Sequence, residues 1–241
     1  MSRQGSRLQA ATAWQGHRAR QQGLSLIELM ITMVLGLIII AAVFNMYAGS
    51  SRSARYSEGL QSMQENGRYG VSVLQRGLRL AGFSPDESVE AFDISASGVS
   101  TISIRSQQQY DCNGLETTAT DGLAVNVYRL DEASGELTCQ GNQGGAPMAV
   151  VEGVDRFRLL YGVDADGDAE TEEPQSYVPH DATLDSADVV AVRFALLVNS
   201  GKPIRTRNVS RTYVLLDEEF TYDDRVAREV FSSTVKVRNR Q

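Results

Sequence analysis

The 241-residue chain predicts an α+β fold, one long N-terminal helix packed on an antiparallel β-sheet. Three observations predict it. From Leu24 to Tyr47 the chain is almost wholly apolar, without Pro and with Gly only at position 36. From Ala48 to Gly82 apolar residues recur every three or four positions, the period of a helix face. Beyond residue 90 the pattern turns to strict alternation broken by Gly, Asp and Pro, which is how strands and turns read.

Residues 1–23 hold Arg3, Arg7, Arg18 and Arg20 and no acid, a charge of +4. By the positive-inside rule this is a cytoplasmic leader, and everything after Tyr47 lies outside the inner membrane. At about 1.5 Å per residue, 24–47 makes a helix of roughly 36 Å, enough to cross a bilayer core of about 30 Å. A secretory signal peptide is cut after its apolar run. Here the candidate cut, after Gly23, precedes the run, so the apolar helix stays in the mature protein. Inside it stands one acid, Glu28. A carboxylate in a membrane helix costs on the order of 3 kcal/mol, which marks it as a functional residue. Either it reaches the head groups or is protonated, or it meets a cation at assembly. A chain cut after Gly23 supplies such a cation, the α-ammonium of Leu24.

Residues 48–84 read as an amphipathic continuation of the helix in water. Tyr56, Leu60, Met63, Gly67, Val71, Leu74, Leu78 and Ala81 form the stripe. Gly59, Gly67, Gly70 and Gly77 each cost up to about 1 kcal/mol of helix propensity. Packing of this half of the helix on a sheet must offset that. Gly82 and Pro85 end the helix.

Residues 85–241 have room for one β-rich head with a core of its own. Val99, Ile102 and Ile104 suggest a short strand. Residues 123–140 read as a hairpin turning at Asp131–Gly135. Phe157, Leu159, Tyr161 and Val163 alternate. Val189–Val198 is a long apolar run with one Arg, a central strand. Thr212–Leu216 and Val230–Val237 complete the set.

Two cysteines, Cys112 and Cys139, lie on the outer side, where pairing is the rule. Their link would stabilise by roughly 3–4 kcal/mol; the alternative is two separate buried thiols. Asp164, Asp166, Asp168 and Glu170 alternate as carboxylates do around Ca²⁺. The Gly stands at the fourth position rather than the sixth, so a solvated acidic turn is the competing reading. No other cofactor has a candidate site. The chain carries −7, and without its leader −11, which excludes general nucleic-acid binding. Of two histidines, His17 is in the leader and His180 has no nucleophile near it in sequence, so nothing points to an enzyme.

Gly23-Leu24-Ser25-Leu26-Ile27-Glu28-Leu29, with its basic leader and apolar helix, resembles the processing site of type IV prepilins and of type II secretion pseudopilins. In those families a membrane peptidase cuts after the glycine and methylates the new N-terminus, and the glutamate is the fifth mature residue, as Glu28 is here. Phe is the commonest first mature residue, and Leu24 departs from it. An ordinary signal anchor would not require Glu28. The run Leu60–Tyr69 (LQSMQENGRY), the ending Leu78–Phe83 (LRLAGF) and the segments near 154–163, 189–198 and 230–240 resemble the PilW family of minor pilins. The resemblance implies a pilin-like fold and a subunit that joins other minor pilins and the major pilin, primes type IV pilus assembly and comes to sit at the tip, where it can hold a large adhesin. Its partners would include the prepilin peptidase and the inner membrane, its head would be periplasmic and then on the cell surface, and its roles would be twitching motility and adhesion. The alternatives are a J-type pseudopilin of type II secretion and, of another class, a membrane-anchored periplasmic binding protein or enzyme.

Overall fold

The computed structural model describes residues 23, 25–85, 89–117, 122–164 and 173–239. One helix, α1 (Leu26–Leu80), runs from a first unit that ends at Gly49 into a second that begins at Ser50. In the first unit the helix closes its first turn from Leu29 N–H to the Ser25 carbonyl at 3.1 Å. Its large apolar side chains are exposed from Leu26 to Tyr47.

The second unit is the rest of α1 and ten strands: β1 (Thr101–Gln107), β2 (Leu123–Asp131), β3 (Glu136–Gly141), β4 (Met148–Glu152), β5 (Val154–Val163), β6 (Ser176–Val178), β7 (Val189–Asn199), β8 (Val209–Leu215), β9 (Glu218–Asp224) and β10 (Arg228–Lys236). All pairings are antiparallel, as expected, but the strands divide among three sheets rather than one: β1-β2-β3-β4, β10-β7-β5-β6 and the hairpin β8-β9. The division falls at Gly153. This single residue joins β4 of one sheet to β5 of the other at φ +71°, a left-handed turn that glycine takes without strain. The bend leaves its carbonyl accepting from Asn199 N–H at 2.8 Å, so it is anchored to β7.

The glycines of α1 are where the helix meets the sheets. A Cβ on Gly67 would collide with the Phe231 ring of β10, one on Gly70 would stand 2.8 Å from Leu196 Cδ1 of β7, and one on Gly77 3.3 Å from Ile104 Cδ1 of β1. On the same helix Met63, Leu74 and Leu78 are buried in one apolar cluster that spans both four-stranded sheets. Burial along α1 begins at Gly59, so Tyr56, in phase with the stripe, is 45% exposed instead of packed. Gly82 takes φ +75° just past the helix end, and its N–H bonds the Arg105 carbonyl. Asn239 Nδ2 donates to the carbonyls of Arg79 and Ala81, which the helix itself leaves unpaired.

Apart from Arg193 and Asn199, β7 is apolar because both faces are covered. Leu196 faces α1, while its neighbours Ala195 and Leu197, pointing the opposite way, pack with Tyr213 and Leu215 of β8.

Candidate functional site

Two features of the chain have chemistry beyond packing: the N-terminal stretch of α1 and the pinned hairpin of the head. Among the described residues, α1 is the one helix long and apolar enough to cross a membrane. Its polar side chains there turn back on their own helix. Thr32 Oγ1 donates to the Leu29 carbonyl and Asn45 Nδ2 to the Ala41 carbonyl, each at 2.9 Å. That is how hydroxyl and amide groups are satisfied where water is absent. Glu28 differs. It lies in the first turn of α1 and, among the described residues, has no hydrogen-bond or ion-pair partner within the chain. A carboxylate near a helix N-terminus gains from the positive end of the helix dipole, which compensates part of its cost. Gly23, the residue before the candidate cut, is exposed; Leu24 and residues 1–22 lie outside the described residues.

In the head, Cys112 and Cys139 are joined by a disulfide. Cys139 is fully buried on β3, and the bond ties the 108–117 connection to that strand. The same connection is organised by Asp111, itself buried. Its Oδ1 accepts from Asn113 and Leu115 N–H and its Oδ2 from Gln143 N–H. A hollow of about 290 Å³ beside the disulfide is bordered by Tyr69, Arg76, Tyr110 and Tyr128.

Of the acidic stretch read either as a Ca²⁺ loop or as a solvated acidic turn, the structure describes one of the four candidate carboxylates. Asp164 is buried at the end of β5 with Gln175 Nε2 at 3.5 Å from its carboxylate. Asp166, Asp168 and Glu170 lie outside the described residues. Among the described residues no three His, Cys, Asp or Glu side chains gather as a metal site.

The sequence reading missed the charge pairs that hold hairpin β8-β9. Arg158 of β5 grips Asp217 at 2.8 and 2.6 Å and Glu218 at 2.9 Å. Arg228 of β10 bonds Asp155 and Asp224 and lies 3.8 Å from the centre of the Tyr222 ring. The hydrogen bonds from these guanidinia hold the carboxyls of Asp217 and Asp224 below the usual carboxylate range. The available signal was the alternation of Glu218, Phe220, Tyr222 and Asp224 on one face of β9.

Residues 127–239 match the family model of the type IV pilus-assembly protein PilW, and residues 18–44 match the prokaryotic N-terminal methylation motif. Among solved structures, a type IV-like pilin from Thermus thermophilus is similar at 16% identity and a TM-score of 0.42, over 76% of this chain and 98% of that one. No curated protein matches the chain.

Proposed function

We propose that the chain is a type IV pilus minor pilin of the PilW kind, which joins other minor pilins in the inner membrane, primes pilus assembly and remains in the tip complex, where it serves twitching motility and adhesion. The observation that carries this is the pairing of a methylation motif at one end with the PilW match over the sheets at the other. In this reading residues 1–23 are a leader that stays in the cytoplasm, 24–47 span the membrane and later enter the filament core, 48–84 carry the helix onward and 85–241 form a periplasmic head, later at the cell surface. The role is structural rather than catalytic.

Each residue then has a task. The prepilin peptidase hydrolyses the Gly23–Leu24 peptide bond, releasing the leader and leaving a new α-amino group on Leu24, which is methylated. Protonated, that nitrogen is a cation at the edge of the bilayer. A buried carboxylate is costly alone and much less so beside a cation in low dielectric. When two subunits stand offset along the filament axis, the terminus of one approaches Glu28 of another, which favours assembly over rest in the bilayer and sets the axial register. The precursor lacks that charge, so leader removal is the switch.

The decisive experiment uses a strain lacking the wild-type copy. Intact mass of the wild-type protein should give a chain starting at methylated Leu24, and Gly23→Val should remain uncut. Glu28→Gln should be cut and inserted yet fail to co-purify with the other minor pilins, with fewer surface pili. Normal maturation of Gly23→Val would overturn the cut site. Normal piliation of Glu28→Gln would overturn the charge pair.

A further inference from the structure

At the root of hairpin β8-β9 the head forms an open groove of about 660 Å³ against the stretch of α1 that follows the apolar run. Its floor is apolar and fixed. A Cβ on Gly59 would lie 2.8 Å from Ile204 Cγ2, so loop and helix are in contact, with Pro203 beside them. The loop is braced on the root of the hairpin: Ile204 and Arg205 N–H both donate to the Arg225 carbonyl, at 3.1 and 3.0 Å, and Ser200 Oγ donates to the Lys202 carbonyl at 2.8 Å.

Around this floor stand three cations, Arg55, Lys202 and Arg225, and one acid, Glu58, all exposed. Among the described residues none of the three cations makes an ion pair, and Arg55 donates only to Ser51 Oγ, at 3.2 Å. The nearby acid of the hairpin, Asp224, is already held by Arg228, with Arg205 adding to the positive field on it. A head that is acidic overall therefore keeps a knot of unneutralised cations around an apolar crevice. That pairing suits a ligand with a phosphate and a hydrocarbon side by side. Arg55 follows Tyr47, the last residue of the apolar run, by eight residues of the same helix.

We propose that this groove binds the phosphate-bearing head group of an acidic phospholipid, docking the head on the outer leaflet of the inner membrane before the subunit is assembled. The inference rests on the membrane-anchored reading above.

The test reconstitutes the full chain in nanodiscs of phosphatidylcholine, alone or with an equal part of phosphatidylglycerol carrying a photoreactive head group. Co-elution with the discs checks the anchor. Mass mapping should find labels concentrated on the peptides with Lys202 and Arg225. Labelling there should fall several-fold at high salt and in Lys202→Glu/Arg225→Glu, and be kept in Lys202→Arg. All of these side chains are exposed, so an unchanged unfolding midpoint and intact Cys112–Cys139 bond confirm a folded variant. Lys202→Gln/Arg225→Gln supplies a milder loss of charge. A chain that co-elutes but is labelled evenly, or equally in the charge-reversed variant, overturns the lipid site alone. Displacement of the label by millimolar inorganic phosphate assigns the groove to a free anion and overturns the lipid. A chain that does not enter the discs overturns the anchor and the lipid site together.

Discussion

Gly67 has no side chain because the Phe231 ring occupies the place a Cβ would take. Alanine there gains roughly 1 kcal/mol of helix propensity but incurs about 1–3 kcal/mol of overpacking. Gly67→Ala should therefore lower the thermal unfolding midpoint, and adding Phe231→Leu should recover part of the loss. Gly49 is the control, since its Cβ would meet nothing within 4 Å and Gly49→Ala should leave the midpoint unchanged or raised. Equal effects at both positions would sink the contact as the reason for the glycine. This face was half legible. Glycine's cost in a helix demanded a compensating partner, and a sheet was the only candidate. Which glycine touches which strand depends on tertiary register, which no local pattern encodes. Tyr56 shows the same limit: helical phase predicts a facing direction, and whether anything stands there depends on how far the head reaches.

Among the elements, β7 was the most legible because burial on both faces removes polar residues from the strand itself. β4, β6 and β9 were not. β6 has three residues, too few for a period to register. β9 reads EEFTYDD, and its acids hide the alternating Phe220 and Tyr222 that face the head. Glu218 and Asp224 of β9, with Asp217 in the turn before it, are employed in docking, which makes the hairpin sensitive to pH. The carboxyls of Asp217 and Asp224 lie below their ordinary value chiefly through hydrogen bonds from Arg158 and Arg228. A depressed pKa adds stability that is fully present above the usual carboxylate range and lost as pH falls through the depressed value. The unfolding midpoint should be steady near neutrality and fall below about pH 4. Asp217→Asn/Asp224→Asn should start lower at neutral pH and show a shallower acid slope. A slope identical to wild type would show that other carboxyls govern acid unfolding. The disulfide acts at this scale too. It closes a separation of 27 residues, worth about 3–4 kcal/mol in the chain-entropy model, so Cys112→Ala/Cys139→Ala should unfold at lower denaturant than the oxidised wild type. A midpoint that does not move under reductant in wild type would count against that contribution.

For the molecule as a whole, the parts of the proposed role differ in how openly the sequence states them. Gly23, Glu28 and the apolar run are legible because the proposed processing and membrane entry would act on a linear stretch of chain, where spacing is the signal. The basic groove is not, because Arg55, Lys202 and Arg225 are brought together only by the fold. The Ca²⁺ expectation rests on carboxylates of which Asp164 alone is described, and that side chain is buried.

Phe231 lies on Gly67, and Asn239 closes the end of α1. The helix and its cover are far apart in the sequence of the second unit, and a ribosome delivers the cover late. Until β10 emerges, Leu74 and Leu78 have an incomplete lid and the growing head cannot lock into a finished shape. The order of synthesis thus acts as a timer. Without β10 the Gly67 face of α1 stays open, so the cover of the helix is completed only by the last strand. A ribosome stalled before Arg228 would leave a head that proteases can read as incomplete.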